Sequence, residues 1–166
     1  MKKVLYLQTG QQVTVDEEDY MRCFSHNWRL DPKGYVCTSI DGGQSYLFLH
    51  NFLLNLPNGS GVDHIDRNKL NNSRSNLRIA TNSQQGANRG VFKNNTSGYK
   101  GVTIKKPSSG RLRYIARIKV NYNNIELGAY DTAEEAAKVY DKAALHYFGE
   151  FACTNFTVDS KGGPLL

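Results

Sequence analysis

The chain has 166 residues, 39% of them hydrophobic and 22% charged, and a formal net charge of +6. Its length suits one domain or two small ones, and no stretch approaches the roughly 18 consecutive apolar residues of a membrane span. The short apolar run near the start predicts no signal peptide. Three cysteines without Cys-x-x-Cys spacing argue against a disulfide framework or a four-ligand zinc site, and favour a reducing compartment.

The first third alternates between polar and apolar residues in short runs that turn residues interrupt. Four elements are predicted there: a helix over 16–24, hairpin strands over 35–40 and 45–49, and one or two helical turns over 50–56. Trp28 is expected in the core. Residues 61–89 predict strand, loop, strand and helix, with the helix beginning after Thr81 because Thr81 and Gln84 match a capping box.

The last third predicts a small sheet and one helix. The strands are expected over 101–105, 113–120 and 125–130, with turns at 107–110 and 121–124. The helix begins at a second capping box, formed by Thr132 and Glu135. Residues 91–98 are expected to be a linker, and residues 158–166 a disordered tail.

Positive charge is concentrated in one stretch. No acidic residue lies between Asp66 and Glu126, whereas thirteen Lys and Arg residues do. A solvated surface usually mixes both signs, so the stretch favours a polyanionic partner. An anionic membrane is a weaker alternative, because no basic amphipathic helix is apparent.

The strand over 113–120 predicts where this charge is displayed. A period of two places Arg113, Ile115, Arg117 and Lys119 on one face, and turns the alternate residues toward the helix. Lys105 on the preceding strand can join the basic face. The candidate DNA contacts are Lys100, Lys105, Lys106, Arg111, Arg113, Arg117 and Lys119, together with Arg78 and Arg89.

Asp63 and His64 end a short predicted strand and suggest chemistry. Hydrolysis of a phosphodiester needs a base for the attacking water and a cation for the developing negative charge. A carboxylate with an amide or imidazole suits a hard divalent ion such as magnesium or manganese. An Asp-His pair by itself is a weak signal, since a lone histidine is more often structural.

The surrounding motifs make the signal specific. They are Leu49-His50, Val62 to Asn68, Asn71-Asn72, Asn76-Leu77-Arg78 and Asn88-Arg89. As a set they resemble the HNH homing endonucleases, whose ββα-metal (His-Me finger) unit grips one divalent ion. The resemblance implies that His64 is the general base, that Asp63 is a metal ligand, and that Asn76 holds the loop and orients the base. His50 takes the upstream histidine position, where a structural role is as plausible as a catalytic one.

The chain departs from the HNH pattern at one metal ligand. The family usually has Asn on the helix where this chain has Gln85, whose carbonyl oxygen lies one methylene, roughly 1.5 Å, further out. Asn88, one turn on, is an alternative ligand. A catalytically decayed nuclease that survives as a sequence-specific DNA-binding regulator is therefore a second hypothesis.

The last third resembles a different family. The matching segments are 99–102, 114–118, 127–132, 134–137, 140–144 and 155–156. They resemble the Apetala-two/ethylene-response-factor DNA-binding domain, which lays a three-stranded antiparallel sheet into the major groove with a helix packed behind it. Tyr114 and Thr103 stand where that family commonly has Trp and Arg, so its base preferences do not transfer.

Together these observations predict an α+β protein. N-terminal β-hairpins lead into an HNH domain over 1–90, with a ββα-metal core at about 49–90, and an Apetala-two-like domain follows over 99–157. The predicted function is cleavage of double-stranded DNA with one Mg²⁺ or Mn²⁺ ion. We expect a monomer or weak dimer with no obligatory protein partner and no membrane association. The resemblance implies a phage or mobile-element origin and action in a bacterial cytoplasm.

Overall fold

The computed structural model describes residues 1–106 and 110–156. The predicted tail and most of the turn predicted at 107–110 lie outside these residues. The described chain has a mixed α and β fold with several small antiparallel sheets and four helices. It divides into two compact units, Met1–Thr81 and Asn82–Leu166. No helix in the described part is long and apolar enough to cross a membrane.

The first unit contains three small sheets and two helices. Its elements are β1 (Lys2–Tyr6), β2 (Gln12–Asp16), α1 (Glu17–Cys23), β3 (Arg29–Leu30), β4 (Val36–Ile40), β5 (Ser45–Phe48), α2 (Leu49–Leu53), β6 (Val62–His64) and β7 (Leu77–Ile79). β1 pairs with β2, β6 pairs with β7, and β4 lies between β3 and β5, all antiparallel. The helices and hairpin predicted in this region are confirmed, with boundaries shifted by a few residues.

The core of the first unit lies between β2, α2 and the loop that holds Trp28. Val13, Leu49 and Leu53 are fully buried there. Trp28 is 5% exposed and its indole Nε1 donates to the carbonyl of Cys23 at 2.7 Å, which confirms the prediction of a core tryptophan. Apolar burial of this kind is the main source of the unit's stability.

Hydrogen bonds fix the loop between β6 and β7 to both β2 and α1. Thr14 N–H donates to the Leu70 carbonyl at 2.8 Å, and Asn72 N–H donates to the Thr14 carbonyl at 2.7 Å. The Arg74 guanidinium binds the buried carboxylate of Asp19 with two hydrogen bonds of 2.7 and 2.8 Å. These contacts hold the loop, which is irregular apart from a short 3-10 turn at Arg74–Asn76, in one conformation.

The second unit is a three-stranded sheet with helices. Its elements are α3 (Asn82–Asn88), β8 (Val102–Lys105), β9 (Arg113–Val120), β10 (Asn123–Tyr130) and α4 (Ala133–Phe148), and the antiparallel sheet has the order β10-β9-β8. The capping box at Thr132 and Glu135 is present, as predicted. Ala116 packs on Ala136 and Ala137 of α4.

One glycine permits the close approach of α4 to the sheet. Gly101 has φ of +75°, and a Cβ at this position would lie 1.9 Å from Cδ2 of Tyr140. Both the backbone conformation and the lack of space therefore require glycine immediately before β8. The chain after α4 is held by Asp141, whose carboxylate accepts from the backbone N–H groups of Asn155 and Phe156.

Helix α3 is attached to the second unit through three of its residues. Asn121 N–H donates to Ser83 Oγ at 3.2 Å, and Asn82 Nδ2 lies 3.4 Å from the Tyr122 hydroxyl. The Ala87 carbonyl accepts from Cys153 N–H at 3.1 Å and also from the Lys100 ammonium. The helix begins directly after Thr81, as predicted, and it belongs to the second compact unit. The domain boundaries at 90 and 99 stay predictions.

Candidate active site and nucleic-acid surface

Asp63 lies in the middle of β6, opposite Arg78 of β7. Asp63 Oδ2 accepts from Arg78 Nη2 at 2.8 Å and from Arg78 Nε at 3.0 Å. The exposed fraction is 9% for the Asp63 side chain and 12% for the Arg78 side chain. A nearly buried carboxylate of this kind needs a positive partner, because burial alone penalises its charge. Arg78, predicted as a DNA contact, supplies that partner.

His64 ends β6 and is 4% exposed. Its Nε2 lies 3.3 Å from Asn72 Oδ1, while Asn72 Nδ2 donates to the Lys69 carbonyl at 2.9 Å. The second bond fixes the orientation of the amide, so the atom facing His64 is an acceptor. In the tautomer that this contact favours, Nε2 carries the proton and Nδ1 is the basic nitrogen. Burial lowers the pKa of His64, and the hydrogen bond to Asn72 offsets only part of this.

His50 lies in α2 and is packed among aromatic rings. It stacks on Phe48 with 5.4 Å between ring centroids, and it meets His64 edge-on at 5.5 Å. Tyr35 contacts both histidines, at 5.7 Å from His50 and 6.1 Å from His64. Burial, with a smaller contribution from His64, lowers the pKa of His50 to about 4. His50 is thus neutral at pH 7 and is positioned to hold the His64 ring.

Asn76 closes the loop between β6 and β7. Its Oδ1 accepts from Asp66 N–H at 3.0 Å, and its Nδ2 donates to Asp66 Oδ1 and to the Asn71 carbonyl at 2.8 and 2.7 Å. Although burial acts to raise the pKa of Asp66, hydrogen bonds from Asn71, the Asn68 backbone and Asn76 lower it. The side-chain amide of Asn76 therefore links the beginning and the end of the loop that follows His64.

The second candidate surface is the solvent-facing side of the β8–β9–β10 sheet. Lys105 pairs with Arg113 across β8 and β9, and Arg117 and Lys119 follow on the same face of β9. Tyr114 and Ala116 face α4, as the period of two predicts. Lys106, Arg111 and Arg89 are exposed at other points of this unit. Lys100 instead directs its ammonium to the Ala87 carbonyl.

Acidic side chains neutralise part of this basic face, which corrects the impression given by the sequence. Arg117 lies opposite Glu126 on β10 and donates to Glu126 Oε2 at 3.0 Å. Arg113 donates to Asp131 Oδ1 at 2.6 Å. Both acids follow the basic stretch in sequence, but the antiparallel fold brings them back beside it. Since these pairs are largely exposed, each is worth about 1 kcal/mol or less and can open for another anion.

The comparisons with known proteins address the family of the chain. A family model described as HNH endonuclease matches residues 55–87. The chain is 37% identical over 133 residues to an uncharacterized HNH endonuclease, L560, of Acanthamoeba polyphaga mimivirus; the match covers 78% of this chain and 67% of the relative. The chain belongs to the HNH endonuclease family. The residues of the family model include β6, β7 and most of α3 of this HNH protein.

Other relatives match smaller parts of this HNH family member. The ethylene-responsive transcription factor ERN2 of Medicago truncatula is 46% identical over 57 residues, which are 33% of this chain and 18% of that protein. Protein 3.8 of Escherichia phage T7 is 43% identical over 51 residues, 31% of this chain and 42% of that protein. No solved structure matches the chain. The plant matches lie in the C-terminal region and accord with an HNH plus Apetala-two-like arrangement.

HNH nucleases generally use a divalent metal, and the donor types of this chain fit one. Asp63 offers a carboxylate, and Gln85 and Asn88 on α3 offer amide carbonyl oxygens, the ligands that magnesium prefers. Asp63 belongs to the first compact unit and the two amides to the second. Among the described residues, no cluster of three His, Cys, Asp or Glu side chains forms a metal site. The assignment of Asp63, Gln85 and Asn88 as metal ligands stays a prediction.

Several contacts of the site were not anticipated from sequence. Asn72 belongs to a motif of the sequence, but the motif predicts neither its contact with His64 nor the rings of Tyr35 and Phe48 around His50. The aromatic cluster has no local signal, because its members come from different elements. The pairing of Arg117 with Glu126 does have a local signal, because a turn at Asn121 and Tyr122 places these two residues opposite each other on β9 and β10.

Proposed function

We propose that the chain is a metal-dependent endonuclease that hydrolyses phosphodiester bonds in double-stranded DNA. The observation that carries the proposal is His64, buried beside Asp63 at the end of β6, with its Nε2 at 3.3 Å from Asn72 Oδ1. This arrangement supports a neutral imidazole with a basic Nδ1 at a defined position. Membership of the HNH family supports a nuclease and does not favour the alternative of a decayed DNA-binding regulator.

The roles follow from what each side chain contacts. His64 Nδ1 accepts a proton from the attacking water, and burial keeps the ring neutral beforehand. Asn72 orients His64, Asn76 holds the loop, and His50 supports the ring from the other side. Asp63, with Gln85 or Asn88, would hold the divalent ion. When bound, Mg²⁺ or Mn²⁺ supplies positive charge to the scissile phosphate and the leaving oxygen.

The C-terminal sheet is proposed to bind the DNA. Lys105, Lys119 and Arg117 lie on one face of the sheet, which suits contact with phosphates and base edges in the major groove. The partial relationship to plant transcription factors supports this assignment. We further propose a monomer or weak dimer that acts in the cytoplasm of the host of a phage or other mobile element.

Cleavage of supercoiled plasmid in Mg²⁺, and in parallel Mn²⁺, tests this function. The native protein should cut and leave 3′-hydroxyl and 5′-phosphate ends. His64→Ala should lower the rate by about 10²–10⁴-fold, the range for a lost general base, with little change in DNA affinity. His146→Ala removes an exposed histidine of α4 and serves as the matched control. Equal rates for the native protein and His64→Ala would refute His64 as the base.

A further inference from the structure

A cleft of about 410 Å³ lies within the second unit, along α3 and the end of β9. Four basic residues line it: Arg89, Lys100, Arg117 and Lys119; of these, Arg117 pairs with Glu126 and Lys100 donates to the Ala87 carbonyl. Among the described residues, none of those that line the cleft is acidic. Its size falls at the lower end of the range for sites that bind small molecules. The charge of the cleft therefore favours an anionic ligand of modest size.

Two exposed aromatic side chains also line this cleft. Tyr122 is 73% exposed and Phe92 is 65% exposed. The ammonium of Lys119 lies 5.9 Å from the centroid of the Tyr122 ring. Gly86, on the α3 side of the cleft, has open space where a Cβ would stand. Flat rings next to cations are the combination that proteins use to stack nucleic-acid bases and hold their phosphates.

The backbone of Tyr122 has a positive φ, which is unusual for a residue with a bulky side chain. Asn121 and Tyr122 form the turn between β9 and β10, with φ values of +47° and +69°. Turns of this type favour Asn followed by Gly, and a bulky residue with positive φ is strained. Since the ring is mostly exposed, burial contributes little to offset that strain. A strained and exposed aromatic residue is a reason to look for a ligand.

We propose that this cleft binds one unpaired nucleotide of a DNA strand, with its base stacked on Tyr122 and its phosphate held by Arg89 and Lys119. In a duplex both faces of a base are covered by its neighbours, so only a base outside the stack can lie on the Tyr122 ring. The inference rests on the proposed function, since it assigns to a DNA-cleaving protein a second mode of contact with its substrate. That contact shares Lys119 with the sheet face and adds Arg89 and the ring of Tyr122.

The test measures binding of full-length protein to a short fluorescent single-stranded oligothymidine and to a blunt duplex. Tyr122→Gly relieves the positive φ, so we expect a higher melting temperature together with roughly tenfold weaker binding of oligothymidine. Tyr122→Phe keeps the ring and should bind oligothymidine like the native protein. Tyr147→Ala, on α4 and outside the cleft, is the matched control and should leave oligothymidine binding unchanged.

Three results would overturn the inference. The first is unchanged oligothymidine binding by Tyr122→Gly. The second is equal loss in Tyr122→Phe, because the hydroxyl and its contact with Asn82 would then matter rather than the ring. The third is an equal loss of duplex binding, which would indicate a general backbone contact. Plasmid cleavage by the native protein is measured in parallel, so failure of the nuclease proposal would be seen separately.

Discussion

Arg78 lies directly across the β6–β7 hairpin from Asp63, and two of its nitrogen atoms donate to the same carboxylate oxygen, at 2.8 and 3.0 Å. The carboxylate proposed to hold a divalent cation thus already has a fixed positive partner. A metal ion at Asp63 must share the carboxylate with the guanidinium. The pair stabilises Asp63 in the metal-free protein, and the charge of Arg78 opposes metal binding.

This relationship predicts the behaviour of Arg78→Gln. Without divalent ions the variant should lose about 2 kcal/mol of unfolding free energy, because a nearly buried carboxylate loses its charged partner. Added Mg²⁺ should then raise its melting temperature more than it raises that of the native protein, since the ion replaces the lost charge. Thermal unfolding with and without Mg²⁺ measures both effects.

Arg22→Gln provides a matched control for that experiment. Arg22 binds the buried carboxylate of Asp19 at 2.7 Å, away from the proposed metal ligands. Its removal should lower stability, but the increment from Mg²⁺ should equal that of the native protein. If Arg78→Gln also shows only the native increment, Asp63 is not a metal ligand.

Gln85 offers a direct test of the amide ligand. Gln85→Asn shortens the side chain by one methylene and restores the residue that the family resemblance implies, so cleavage with Mg²⁺ should rise severalfold. Gln85→Ala should reduce cleavage, and more in Mg²⁺ than in Mn²⁺, because magnesium demands stricter geometry. Asn88→Ala identifies the other candidate. Cleavage that is insensitive to every change at Gln85 would transfer the role to Asn88.

The exposed pair of Arg117 and Glu126 predicts opposite effects for its two members. Arg117→Ala should weaken duplex binding by roughly 1–3 kcal/mol if the guanidinium reads a base. Glu126→Gln should strengthen binding a fewfold, since it frees Arg117 and removes a negative charge from the sheet face. Glu134→Gln is the control, because Glu134 pairs with Lys138 on α4. Unchanged affinity in Arg117→Ala would exclude this face as the DNA surface.

Burial of His50 predicts loss of stability in mild acid. The pKa of His50 falls from its ordinary value of 6.5 to about 4 in the folded protein. Between these values the unfolded state binds more protons than the folded state, so stability decreases as the pH falls through that window, by up to about 3 kcal/mol. Urea unfolding at several pH values should show a shallower decline for His50→Phe than for the native protein.

Other groups near His50 bear on the size of this effect. Burial also lowers the pKa of His64, so a decline of the same sign remains in His50→Phe. The negative charge of Asp31 acts in the opposite direction on His50. Asp19 has a lowered pKa as well, because the hydrogen bonds and charges of Arg74 and Arg22 outweigh burial, and it contributes only at lower pH, below its ordinary value of 3.8. An identical slope in His50→Phe and native protein would contradict a buried neutral His50.

Local patterns explain which elements were predictable from the sequence. The strand over 113–120 has the expected bounds because its alternation is regular, and α4 begins where Thr132 and Glu135 form their reciprocal cap. Such signals act over a few residues and need no knowledge of the rest of the chain. The Asp63-His64 pair gives only a weak local signal, and the motifs between Leu49 and Arg89 make it specific.

The remaining features depend on residues that are distant in sequence. Arg74 and Asp19 are 55 positions apart in the sequence. Tyr35, which precedes β4, contacts the ring of His64 in β6. The resemblance assigns the helix with Gln85 to the HNH domain, and the structure adds hydrogen bonds from this helix to residues of the second unit. Helix propensity and capping fix where α3 begins but not what it packs against.

The attachment of α3 by Ser83 and Ala87 to the second unit also bears on how such a protein could exchange its parts. A chimera joined in the polar segment after residue 90 would separate this helix from the residues that hold it. A chimera joined at Thr81 would keep those contacts. The two candidate amide ligands and the sheet would then come from the same parent protein. Recombination at Thr81 would thus transfer α3 and the target preference together.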